Sequence, residues 1–212
     1  DISPNQISNA IQKDNIEYRC NKAENLSFLQ SNSIDLITVA ATLHWLEIEL
    51  FVKEVKRVLK PETGVFAIWI YTLGTLDNPI ADAIYHEFHQ ILLFSYWNNK
   101  RWLVDDYYQS LLPLFPYKSS LIEHTIENKI ETTIGQFLGF IESLSACQTY
   151  KKQEGEHAYN NLIETLRKKL IDCYKKIDYR TNNNDNTIDF NSIKMTVSYP
   201  IRLYLMKKNE IN

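Results

Sequence analysis

The sequence predicts an α/β fold: a largely parallel sheet with helical crossovers. Three observations lead there. A strand–helix–strand block runs from Ser33 to Tyr71, helical stripes replace it over 78–178, and an alternating run returns at Lys194–Met206.

The block comes first. Ile34–Ala40 is mostly apolar without clean alternation, as in a strand covered on both faces. Ile48, Val52, Val55 and Leu59 then recur on one helical stripe, with Lys53, Lys56, Arg57 and Lys60 on the opposite face. Glu47 and Glu49 near the start and the basic residues near the end suit the helix dipole. Pro61 and Gly64 stop the helix, and Val65–Tyr71 is a second apolar strand. Strand, helix and strand in this order form a parallel βαβ unit.

Upstream, Ser3, Pro4 and Gln6 spell a helix start with a capping box, with Ile2 and Ile7 as a hydrophobic staple and Ile7, Ala10 and Ile11 as the buried face. Ile16–Cys20 reads as a short strand. Downstream, Asn78–Phe94 reads as a helix burying Ile80, Ile84, Phe88 and Ile91. Ser95–Trp102 reads as an aromatic loop and Val104–Leu112 as a short helix. Ile122, Ile126 and Ile130 suggest an edge strand, and Phe137–Cys147 a helix. Glu156–Ile177 reads as a long helix with a solvated lysine face, and Arg180–Asn186 as an Asn-rich loop. Pro200 inside Lys194–Met206 requires a bulge or an edge position.

A chain of 212 residues can bury one proper core, and its 44% hydrophobic and 23% charged content is that of a globular protein. A net charge of −3 gives no strong attraction to nucleic acid or anionic membrane. Cys20, Cys147 and Cys173 form no CxxC pair, which suits reduced thiols and a cytoplasmic location. No stretch reaches the ~18 apolar residues of a membrane span. The first residue is Asp1, and the chain opens in mid-motif, which reads as a fragment of a longer product.

The wording of the block is more specific than its pattern. Asp35-Leu36-Ile37-Thr38-Val39-Ala40-Ala41, then Leu43-His44-Trp45, then Arg57-Val58-Leu59-Lys60-Pro61 and Gly64 resemble strand four to strand five of class I S-adenosylmethionine (SAM) dependent methyltransferases. The trans-aconitate methyltransferase-like branch, with a Leu-Lys-Pro-Gly-like turn before strand five, is the nearest in wording. The resemblance implies methyl transfer from SAM to a small molecule, with a carboxylic acid as the suggested acceptor. It implies a Rossmann-like sheet of strand order 3-2-1-4-5-7-6 and a glycine-rich cofactor turn after strand one. The first of the five glycines is Gly64, so strand one and that turn are expected to lie upstream of Asp1, and strand four is expected to show an unpaired edge. Residues 1–212 alone are then expected to be marginally stable and to bind SAM weakly or not at all.

The same resemblance implies cofactor-binding positions. Asp1 in Asp-Ile-Ser-Pro matches the residue that binds the ribose hydroxyls, and Ala23-Glu24 matches the adenine contact, although Lys22 stands where many relatives carry an acid. Ala40 ends strand four beside the switch point where open α/β sheets bind ligands. His44 and Trp45 are candidates to face the substrate, while packing alone would also account for them. His44 is not assigned as a general base, because methyl transfer depends on in-line placement. Arg101, with Tyr96, Trp97 and Trp102, could clamp a carboxylate, and a surface loop with tucked aromatics is the plainer alternative. His86 and His89 read as exposed helix polarity, and no metal site is proposed. No catalytic residue is assigned. Residues 78–178 are expected to be helical insertions covering the substrate within a single domain. The rivals are a Rossmann-type oxidoreductase and a non-catalytic truncated paralogue acting through a partner.

Overall fold

The computed structural model describes residues 1–175 and 189–208. In chain order its elements are α1 (Pro4–Ser8), β1 (Leu36–Ala40), α2 (Ile48–Val58), β2 (Val65–Ile70), β3 (Thr75–Leu76), α3 (Pro79–Glu87), α4 (Arg101–Asp105), β4 (Ile122–Ile126), β5 (Lys129–Thr133), α5 (Ile134–Ser143), α6 (Ser145–Glu154), α7 (Glu156–Lys175), β6 (Lys194–Ser198) and β7 (Ile201–Lys207). They pack as two units. Asp1–Tyr71, Trp102–Ile126 and the chain from Ile201 form the first; Thr72–Arg101 and Glu127–Pro200 form the second. The expected 78–178 segment is thus shared, with 102–126 packing in the first unit.

In the first unit the predicted βαβ block is present. β1 and β2 pair in parallel, and β7 lies antiparallel between β2 and β4, giving the order β1-β2-β7-β4. This is the 4-5-7-6 half of the sheet that the resemblance implies. β1 is at its edge, with no strand on its outer side among the described residues. The expectation of a strand covered on both faces is therefore corrected: Leu36 is 55% exposed and only Val39 is buried, because an edge strand has neighbours on one side alone.

α2 buries Phe51, Val52, Val55 and Val58, and its cap residue Leu59 is fully buried, so the predicted stripe is right in Val52, Val55 and Leu59 and gains Phe51 and Val58. Phe66 of β2 meets Phe51 edge-on at 5.9 Å and Phe115 at 5.0 Å. α2 ends before Pro61 is reached, because Leu59 is already extended and bridges to Ile34. In the turn after it the left-handed residue is Glu62, at φ +61°. That position directly after Pro61 is where the shorter family phrase has its glycine. A left-handed non-glycine residue costs about 1–2 kcal/mol, partly offset because glycine loses about 0.5–1 kcal/mol more chain entropy. Glu62→Gly is expected to raise stability by about 0.5–1 kcal/mol, read as a higher urea midpoint at unchanged slope.

The N-terminal segment is less regular than predicted. Ser3 caps α1 by accepting from the Gln6 N–H, but α1 stops at Ser8 and buries nothing. Ile2 and Ile11 are 65% and 78% exposed, so neither the staple nor the predicted face forms. Ile16–Cys20 is not a strand. The Asp1 amino group donates to Arg19 O (3.1 Å) and Asn21 N–H to Asp1 O (2.9 Å), the pattern of one parallel bridge.

The second unit carries a three-stranded antiparallel sheet, β3-β6-β5, packed with α3, α5, α6 and α7. Asn78 caps α3 by accepting from Ile80 and Ala81 N–H groups. The buried face is Ala81, Tyr85, Phe88 and His89, and a π-helical turn over Phe88–Leu92 continues the helix. The predicted Ile80–Ile84–Phe88–Ile91 face is corrected: Ile80 and Ile91 are 67% and 70% exposed. Tyr85 offers the larger apolar area to bury, and the extra residue of the π turn rotates the side chains beyond it. His89 is likewise buried, not exposed, at 6%.

Two predicted strands each become two. Ile122–Ile130 divides into β4 and β5, edge strands of different sheets. Lys194–Met206 divides into β6 and β7 around Pro200, which leaves proline outside both ladders. The helix predicted over Phe137–Cys147 breaks at Leu144, whose extended backbone separates α5 from α6. The short helix predicted over Val104–Leu112 starts earlier, as α4. α7 buries Tyr159, Ile163, Leu166, Leu170 and Tyr174. The Asn-rich Arg180–Asn186 loop lies outside the described residues.

Candidate cofactor edge and acceptor loop

The carboxyl end of β1 continues into a connection held at several points. Ala41 N–H donates to Trp69 O at 2.9 Å, the last ladder contact, and Ala41 itself is left-handed at φ +46°. Thr42 Oγ1 donates to Ala40 O at 2.5 Å. The chain then makes one 3-10 turn, Leu43–Trp45, whose Leu43 is fully buried in the core. This anchor fixes the backbone of the two candidates beside it. His44 is half-buried, its ring 4.7 Å from that of Trp45, and Trp45 is 53% exposed. Ala40 is exposed and small, leaving the strand end open to a ligand.

A second loop is tied to the same end of the sheet. Glu24 Oε1 accepts from the Glu47 N–H at 2.8 Å, at the start of α2. Glu54 Oε2 accepts from Leu26 N–H (2.6 Å), and Arg57 donates to Leu26 O (2.7 Å) and Leu29 O (2.8 Å). Glu54 and Arg57 also bond each other at 2.7 and 2.9 Å. That pairing holds the Glu54 carboxyl below its usual range and raises Arg57. Arg57, read from sequence only as one of the basic residues opposite the apolar stripe, thus braces the Ala23–Leu29 loop. An oppositely charged pair three apart was the available signal. Asp1 joins through its backbone bonds to Arg19 and Asn21, and its Oδ1 accepts from Ser3 N–H at 2.7 Å. Asp1 is thus tied to the Arg19–Asn21 segment and Glu24 to the residue that starts α2, while Ala40, His44 and Trp45 share the connection after β1.

The profile of the methyltransferase domain family matches residues 1–68. A provisionally named methyltransferase of Dictyostelium discoideum is 32% identical over 208 residues, covering 97% of this chain and 72% of that protein. The chain belongs to the class I SAM-dependent methyltransferases. The structure of a provisionally assigned type II methyltransferase from Anaeromyxobacter dehalogenans superposes with a TM-score of 0.76 at 23% identity, over 99% of this chain and 79% of that one. That second likeness is one of fold.

In this methyltransferase the remaining candidates lie apart in sequence and role. Arg101 belongs to the second unit, where its guanidinium lies 4.7 Å over the Trp97 ring. Trp97 Nε1 donates to His89 O, and Tyr96 OH donates to Glu154. Trp102 belongs to the first unit and is 56% exposed. Among the described residues no group of three His, Cys, Asp or Glu side chains could hold a metal ion, and no helix is long and apolar enough to cross a membrane. Sequence reasoning passed over Tyr108, which is fully buried and bonds His44 Nδ1 through its hydroxyl at 2.8 Å. Nothing in Asp105-Asp106-Tyr107-Tyr108 signals the backbone turn that brings it there.

Proposed function

We propose that this methyltransferase binds SAM along Asp1, Ala23, Glu24 and Ala40 and methylates a small molecule, a carboxylic acid, held beside His44 and Trp45. The observation that supports it is the tie from Glu24 to the start of α2, which brings the adenine-type loop to the Ala40–Trp45 connection. The donors suit the cofactor: carboxylates for hydroxyls at Asp1, and small residues where a flat adenine needs room at Ala23 and Ala40. Asp1, Ala23, Glu24 and Ala40 would hold SAM, which when bound would supply an electrophilic methyl group to an acceptor oxygen. A carboxylate acceptor carries no proton to remove, so the protein's task is placement and water exclusion.

Isothermal titration of SAM into residues 1–212 tests the cofactor reading. The expected result is weak binding, because β1 presents an edge without a ladder partner among the described residues. Micromolar affinity would overturn the expected weakness, and no saturable binding even at millimolar SAM would sink the cofactor assignment.

A further inference from the structure

Around His44 the backbone is held in conformations that side chains rarely adopt. Ala41 is left-handed, and so are two consecutive bulky residues, Tyr107 (φ +52°) and Tyr108 (φ +60°). Such residues cost about 1–3 kcal/mol each and persist only when the surroundings over-determine them.

The surroundings do so here. Tyr108 N–H donates to Leu103 O at 2.9 Å, and Tyr108 O accepts from Leu111 and Leu112 N–H groups at 2.9 and 3.1 Å. Tyr107 O accepts from the Tyr204 hydroxyl at 2.8 Å, and Arg202 lies 4.4 Å over the Tyr107 ring. Tyr204 is itself fully buried in β7. What this costly turn delivers is one hydroxyl, against Nδ1 of His44 at 2.8 Å, with the two rings 5.9 Å apart.

We propose that Tyr108 is a positioning residue for His44: its hydroxyl donates to Nδ1, fixing the ring's rotation and placing the imidazole proton on Nε2. A neutral imidazole needs a donor at one nitrogen to define which proton the other carries. A buried phenol on a rigid backbone is a suitable donor, and the Leu43 anchor holds the other end of the pair still. The inference rests on the reading of the Ala40–Trp45 loop as the acceptor site for its consequence in turnover, and on geometry alone for the tautomer.

The experiment separates the two. Long-range ¹H–¹⁵N correlation spectra of the ligand-free protein report the protonation of each His44 ring nitrogen. The wild type should show the Nε2–H tautomer alone, and Tyr108→Phe, which keeps the ring and its packing, should show both tautomers. A wild-type Nδ1–H tautomer, or a Tyr108→Phe spectrum unchanged at His44, overturns the proposal whether or not SAM binds. With SAM and a panel of small carboxylic acids and phenols, Tyr108→Phe should lower kcat about tenfold, the scale of one lost hydrogen bond, with the Kd for SAM unchanged. In a His44→Ala background the same change should have no further effect on kcat. A further tenfold loss there would show that Tyr108 acts other than through His44.

Discussion

Phe66→Ala is expected to lower stability by about 3–5 kcal/mol, a cost typical of a fully buried phenylalanine. Phe66 has no exposed surface, lies on the second strand of the first unit's sheet and touches both Phe51 and Phe115. The backbone on both sides is fixed by ladders to β1 and β7, so the walls cannot collapse into the gap. Against a typical total of about 5–15 kcal/mol, the loss removes most of the margin. Urea titration followed by circular dichroism should show the transition displaced far toward zero denaturant. Phe94→Ala, at a residue 75% exposed, should move it by less than about 0.5 kcal/mol. Equal effects of the two changes would contradict this account of the core.

His89→Phe is expected to remove an acid sensitivity of the second unit. His89 is packed between the rings of Tyr85 and Trp97, at 6.0 and 4.6 Å, and its Nδ1 is buried without a hydrogen-bond partner. Burial first, then the charge of Arg101 and the neighbouring His86, push its pKa from 6.5 down to about 3. Below 6.5 the unfolded chain takes up a proton at this residue and the folded chain does not. Stability is therefore fully present above 6.5, falls through the window from 6.5 to about 3, and stops falling below it. The full slope is about 1.4 kcal/mol per pH unit. Urea midpoints read from tryptophan fluorescence at pH 7, 5.5 and 4.5 should diverge between wild type and His89→Phe as pH falls. Phenylalanine should cost little at pH 7, because the orphaned nitrogen is lost with the ring that carried it. Parallel pH profiles for the two proteins would refute it.

Legibility from sequence depended on how local the deciding interaction was. The βαβ block was readable because its stripe, stop and apolar strands lie within 33–71, and because the family wording sits on the same residues. Lys194–Met206 misled because alternation looks the same on either side of Pro200. Only partner strands far away in sequence, β3 and β5 for one half and β2 and β4 for the other, show that it feeds two sheets. The α3 face was turned by one residue because Ile and Tyr both score as apolar, while the pocket admits the larger ring. In the candidate site, Glu24 and the His44–Trp45 loop are nominated by the family wording. Tyr108 was not, since a left-handed tyrosine is selected by its surroundings and leaves no composition signal.

β7 lies between β2 and β4, yet it is the last of these strands the ribosome makes. Until residues 201–207 emerge, β2 has one ladder partner and β4 has none, and Tyr107 lacks the Tyr204 hydroxyl that holds its turn. The first unit therefore cannot complete its sheet before residues 201–207 emerge, however early its βαβ block forms. Its folding is tied to contacts of large sequence separation, which are slow to close and leave apolar edges uncovered while they wait. A nascent chain stalled before Ile201 is, on these grounds, a species for chaperones to hold rather than a partly working enzyme.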